Sequence, residues 1–290
     1  MRLALNALTD ELRRLKAQGV SSVSVSQEGL DALRRSAAAR PAPASAPRKE
    51  ESPKVSRANA ASATVAAPAV APPVVVLPAG DKNVRWAALC STVQSDPACI
   101  AKVRPGKKVV VGVGNLDASI MFIGEAPGAE EEVQGEPFVG PAGQLLNKMI
   151  TGMGLARGDV YIGNIMNWRP DMPAGPSGVQ SGNRPPTESE MAHCLPYLKA
   201  QIEIVSPKLL VALGATAAKG LLGWKAFGAL GEVRGKWHEF GGVPLMVTYH
   251  PSYILRNPTN SSKRLIWEDL LKVMERASLA ISDKQRNFFT

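Results

Sequence analysis

The chain has 290 residues, 45% of them apolar, which is material for one large domain or two ordinary ones. Its 34 basic and 25 acidic side chains leave a formal charge of +9, which admits anionic partners, nucleic acid first. No run approaches the roughly 18 consecutive apolar residues of a membrane helix, and three cysteines are too few for a disulfide scaffold. A reducing, cytoplasmic setting with no membrane association is the expectation.

Within residues 1–36, Leu5, Leu8, Leu12 and Leu15 recur at helical spacing up to Gly19, and Leu30 and Leu33 follow. This predicts a small helical appendage, suited to docking a protein partner. Residues 37–83 read as a linker: positions 41–80 hold 8 Pro and 12 Ala, and no aromatic occurs before Trp86. Such a stretch buries too little apolar surface to offset its ordering entropy.

From residue 84 to about 280 the pattern changes to strand–helix alternation. Apolar runs at 118–125, 160–166, 208–214 and 243–250 predict strands, with helices near 141–153, 187–205, 215–222 and 262–277. Val109–Val113 adds an edge strand or hairpin. Near-continuous apolar strands separated by helices imply a parallel sheet covered on both faces. The expected fold is a three-layer α/β/α sandwich around a mostly parallel, four-stranded sheet, with 281–290 as a C-terminal tail.

Glu125, Asn164, Gly214 and His250 close the four strands in turn, each followed by a loop bearing glycine or proline. Ligands of open α/β sheets bind beyond the carboxyl ends of the strands, so these residues converge on one crevice. The first loop, from Gly124 to Gly143, has five glycines but neither phosphate-loop signature, and its Glu130–Glu132 run opposes a nucleotide's phosphates. Phe138, an aromatic inside this polar loop, either packs into the core or offers its face to a planar ligand.

Three ordered motifs carry a resemblance. GEAPGAEE running into PFVG and AG-LL, then Asn164 followed by Arg169-Pro170 and NRPPT, then His250-PSYILR, are similar to those of the family 4 uracil-DNA glycosylases, over about residues 85–280. The resemblance implies a monofunctional hydrolase that flips uracil from DNA and cleaves its N-glycosidic bond in base-excision repair, acting as a monomer. It places Phe138 on the face of the base, Asn164 on its edge and the backbone of Gly124 and Ala126 against it. His250 falls at the donor to O2, where negative charge grows. Glu125 is implied as orienter of water or stabiliser of the sugar cation, with Glu131 second. Ser252 and Arg256 are implied at phosphates, and Ile254 or Leu255 as the wedge that replaces the base. Arg169, Arg184 and Lys263 are further phosphate candidates.

The sequence departs from the family in its cysteines. Four normally hold a 4Fe–4S cluster; Cys90 and Cys194 match two, but Val93 and Trp168 occupy the others. Cys99 supplies at most a third thiolate, with His193 as a nonstandard fourth ligand, so no cluster and no metal is expected. The loop at 171–182 is also enlarged. The alternative reading is a cluster-less DNA-binding or interaction protein with weak or no activity; an unrelated nucleotide-binding enzyme is opposed by the missing phosphate signatures.

Overall fold

The computed structural model describes residues 72–172, 180 and 182–290. The expected appendage, most of the linker and much of the 171–182 loop lie outside the described residues. Helix α1 (Lys82–Ser95) starts the helical order, capped by the Asp81 carboxylate on the Val84 amide at 2.9 Å, and α2 (Pro97–Lys102) follows with Asp96 as its cap. Next come β1 (Val113–Gly114), β2 (Ile120–Gly124), the single turn α3 (Glu131–Gln134) and α4 (Pro141–Gly152). The chain continues through β3 (Tyr161–Asn164), α5 (Glu188–Val205), β4 (Leu209–Leu213) and α6 (Ala215–Leu222). The hairpin β5 (Trp237–Phe240) and β6 (Val243–Thr248) leads to α7 (Pro251–Arg256), α8 (Asn260–Arg276) and the short α9 (Asp283–Arg286).

The sheet order is β1-β3-β2-β4-β6-β5. The four expected strands form its parallel centre, and β1 and β5 add antiparallel edges. The sheet therefore has six strands where four were expected. The missed β5 has only half-buried and exposed side chains, so it lacks the apolar run of its neighbours. Gly241-Gly242, with φ of 58° and 81°, makes the two-residue turn that the positive angles of a tight hairpin require.

Alternation along the central strands builds two cores. Met121 and Ile123 of β2 and Leu210 and Ala212 of β4 face the layer of α1, α5 and α6. Ile120, Phe122, Leu209, Val211 and Leu213 face the layer of α4, α7 and α8. Both faces of the strands are covered, which is why they read as continuous apolar runs. At about 25 cal/mol per Å2 of apolar area, these two layers supply the dominant favourable term of folding.

The fold reaches beyond the expected boundaries at both ends. Val75 and Leu77 pack on the first core, upstream of residue 84. The 281–290 segment is not a loose tail: the Trp267 indole donates to the Gln285 carbonyl at 2.6 Å, and the Gln285 amide donates to Gly152 at 2.8 Å.

Candidate active site

Parallel pairing brings the strand ends to one edge. Gly124 and Asn164 stand side by side in register, and strand-like pairing continues one step further, with the Ile165 amide on the Gly124 carbonyl at 3.0 Å and the Met166 amide on Glu125 at 3.1 Å. Gly214 and His250 close the other half, so close that a Cβ on Gly214 would lie 3.0 Å from that of His250. The topology changes direction at β2, where a crevice for ligand is expected in this class of sheet.

The loop after β2 is built to present Phe138. Its residue sits in left-handed backbone, φ 54°, a conformation costing about 1–3 kcal/mol for a bulky side chain. Glu131 offsets that cost: one oxygen accepts from the amides of Val139 (3.0 Å) and Gly140 (2.9 Å), the other from Gly128 (3.0 Å). Hydrogen bonds to a charged acceptor contribute about 1.5–3 kcal/mol each, so the brace suffices. Gly143 lets the Phe138 backbone pass where any Cβ would collide. Phe138 is thereby buried against Gly124, whose missing side chain is required by contact with both the Phe138 ring and the Asn164 amide oxygen. The first alternative open in the sequence is seen directly: the ring packs in the second core, beside His250 with centroids 5.6 Å apart.

Asn164 is 6% exposed, and its Oδ1 has no hydrogen-bond partner among the described residues. A buried acceptor without a partner normally costs about 1–3 kcal/mol, the signature of an atom waiting for a ligand donor.

His250 caps α7 with its ring. Nδ1 accepts from the Ser252 amide at 3.2 Å and lies 2.9 Å from the Ser252 hydroxyl, which in turn accepts from Arg256 at 3.2 Å. These bonds leave the proton on Nε2. Burial, reinforced by the Arg256 charge and opposed by Glu131, pushes the His250 pKa down to about 4, so the ring is neutral near pH 7. Burial likewise raises the Glu125 carboxyl, while a hydrogen bond from Thr216, in the first turn of α6, partly counters it. Thr216 escaped the sequence reading; its place two residues after the β4-terminal Gly214 is the signal that would have found it. Ala126 lies partly buried at the start of the loop.

Glu131 is engaged as the loop brace through both carboxylate oxygens. Ile254 is buried in the second core, whereas Leu255 is 49% exposed. Arg256 is exposed beside it and Ser252 is partly buried. Arg169 is buried, bound to Glu132 at 3.0 Å and Asn183 at 2.7 Å, and Arg184 is held by both oxygens of Glu190. Arg169 is thus enclosed, whereas Arg184 is paired but partly exposed. The Lys263 amine lies 5.8 Å from the Phe289 ring centre.

A second polar cluster lies at the junction of α1, α2 and α5. Cys99 and Cys194 are both buried, and the neighbouring Cys194 thiol helps to push the Cys99 thiol up. Asp96 Oδ2 lies 2.7 Å from His193 Nε2 and 3.2 Å from Cys99 Sγ. Cys99, not Cys90, shares this corner with Asp96 and His193, while Cys90 lies near Tyr161, its thiol pushed up to about 11 by burial. Val93 is core, and the Trp168 ring flanks His193 at 6.0 Å. A 4Fe–4S cluster requires four thiolates or close substitutes. This corner offers two, so the residues present do not fit that group.

The mostly parallel sheet, with Phe138, Asn164 and His250 gathered at the carboxyl ends of its central strands, defines an α/β protein of the doubly covered class. The sequence profile of the uracil DNA glycosylase superfamily matches residues 111–271. The type-4 uracil-DNA glycosylase of Thermotoga maritima is 45% identical over 165 residues, covering 57% of this chain and 80% of that one. That of Pyrobaculum aerophilum is 42% identical over 158 residues, covering 52% and 76%. A type-5 uracil-DNA glycosylase of Pyrobaculum aerophilum is 32% identical over 183 residues, covering 57% and 73%. The chain belongs to the uracil DNA glycosylase superfamily, among its type-4 members.

Proposed function

We propose that the protein is a monofunctional uracil-DNA glycosylase that extrudes uracil from DNA and hydrolyses its N-glycosidic bond in base-excision repair. The observation that carries this reading is the buried, partnerless Asn164 Oδ1 beside the Phe138 ring. Oδ1 accepts from uracil N3–H and the amide nitrogen donates to O4. Cytosine presents the opposite pattern on that edge, so it would leave polar groups unpaired. The Phe138 ring supports the base, and the backbone of Gly124 and Ala126 lines its path.

His250 acts as a neutral donor. Its Nε2–H strengthens its bond to O2 as the glycosidic bond breaks and charge moves onto the base. A neutral imidazole does this without being already charged in the ground state. Glu125, buried and restrained by Thr216, orients the attacking water and opposes the positive charge on the sugar. The exposed Leu255 fills the gap left by the base, while Ser252 and Arg256 approach neighbouring phosphates. None of these steps uses a metal or an iron–sulfur group, and three free cysteines accord with a cytoplasmic enzyme.

The test is uracil release from single- and double-stranded oligonucleotides by the wild type and Asn164→Asp. The wild type should release uracil without cutting the strand. A carboxylate cannot donate to O4, so the variant should lose excision by orders of magnitude while still binding DNA. Unchanged turnover in the variant, or an inactive wild type that binds DNA, overturns the proposal.

A further inference from the structure

We propose that the corner between the α1–α2 junction and α5 is a structural site for one divalent metal ion of the zinc class, bound by Asp96 Oδ2, Cys99 Sγ, His193 Nε2 and Cys194 Sγ. The donors come from two places in the chain, Asp96 and His193 being 97 positions apart, yet one atom each from Asp96, Cys99 and His193 lie within 4.8 Å of one another. Cys194, buried next to His193 in the sequence and neighbouring the Cys99 thiol, lies outside that group of three and completes the set by turning its thiol inward on binding. Tetrahedral zinc with sulfur near 2.3 Å and nitrogen or oxygen near 2.0 Å separates its ligands by about 3.5 Å. The observed Asp96 contacts of 2.7 Å and 3.2 Å therefore need to open by less than about 1 Å.

The donor set selects the ion. Two thiols and an imidazole are poor ligands for magnesium or calcium and good ones for zinc, and the single carboxylate is common in zinc sites. On binding, the two thiols release their protons, so two thiolates and one carboxylate face the 2+ charge and the imidazole stays neutral. The carboxylate is already aimed: Asp96 Oδ1 is held by the Ala98 amide at 3.0 Å, which leaves Oδ2 turned toward the other donors.

A second observation argues that the hydrogen bonds within this corner are not its whole purpose. The His193 Nδ1 and Trp168 Nε1 atoms are buried without partners, so the polar groups here do not satisfy one another. An apolar filling would cost less than a half-satisfied network. A metal ion linking α2 to α5 supplies the crosslink that such a network cannot. The site lies apart from the crevice of Asn164 and His250 and supplies no step of the reaction.

The experiment is elemental analysis of the full-length protein after expression with both zinc and iron supplied. One zinc per chain and only traces of iron are expected. Replacing zinc with cobalt should give the intense visible bands of tetrahedral cobalt with a sulfur-to-metal charge-transfer band. Cys99→Ser and Cys194→Ser should reduce zinc to a trace, while Cys90→Ser retains it. If the first two variants fail to fold, the cobalt spectrum of the wild type and the zinc content of Cys90→Ser still decide. Wild-type protein free of zinc that gains none on titration, cobalt with the weak spectrum of six-coordination, or iron near four per chain overturns the site. Metal content is read independently of uracil release, so the two proposals fail separately.

Discussion

Ser252 donates its backbone N–H to Nδ1 of His250 across 3.2 Å, and this single bond decides which nitrogen of the histidine faces the crevice with a proton. His250→Ala removes that donor. Loss of one donor to a developing anion typically lowers the rate about 100- to 1,000-fold. Single-turnover kinetics on a uracil oligonucleotide should show the loss in the chemical step, with DNA affinity nearly unchanged; a variant within threefold of wild type contradicts the role.

The same histidine makes stability depend on pH. Its pKa is about 4 folded against an ordinary 6.5, so as pH falls below 6.5 the unfolded chain takes up a proton that the folded one refuses. The contribution of this group is complete above pH 6.5 and is lost progressively down to about pH 4, by about 3 kcal/mol at most. Urea unfolding of wild type and His250→Gln between pH 7 and pH 4 should show the wild type losing more stability. Parallel curves would place the ring in a more solvated setting.

Glu125 and Glu131 should separate by phenotype. Glu125→Gln is expected to reduce turnover strongly with little change in Tm, because the proposed reaction draws on its negative charge. Glu131→Gln weakens the charged acceptor of three amides that hold Phe138 in place, so it should lower stability by about 1–3 kcal/mol. Thermal unfolding beside single-turnover rates distinguishes them, and a full Tm with abolished chemistry in Glu131→Gln would return it to the catalytic role.

Adjacent residues in α7 should likewise diverge. Ile254→Ala opens a hole in the second core and should cost about 2–5 kcal/mol. Leu255→Ala, at an exposed position, should stay within about 0.5 kcal/mol of wild type. Its loss should appear instead as slower excision from double-stranded DNA than from single-stranded DNA, because only the duplex needs its gap filled. Equal losses on both substrates would argue against the wedge.

Truncation should respect the packed segment rather than the compositional boundary. Removing residues 1–71 is expected to leave a folded, active protein. Removing residues 1–80 also deletes Val75 and Leu77 from the first core and should lower Tm. Equal Tm values for the two truncations would show that these side chains contribute little.

The sequence by itself determined the class of fold, because β2, β3, β4 and β6 are apolar runs whose neighbours are amphipathic helices, and only a parallel sheet covered on both faces buries both. It also determined which residues gather at one edge of the sheet: Asn164 ends β3, Glu125 follows β2 by one residue and His250 follows β6 by two, and parallel strands end together. What it did not determine was the work of residues whose role depends on partners distant in the chain. Glu131 looks like a solvated acid until the loop folds and three amides reach it; Arg169 looks like a phosphate ligand until Glu132 and Asn183 claim it. Ile254 and Leu255 are alike in chemistry and adjacent in sequence, and only the packing of α7 against the second core decides that one is buried and the other exposed. The thiols follow the same rule. Spacing favoured Cys90, but the path between α1 and α2 turns Cys99 and Asp96 toward His193 of α5, a convergence that tertiary geometry alone could reveal.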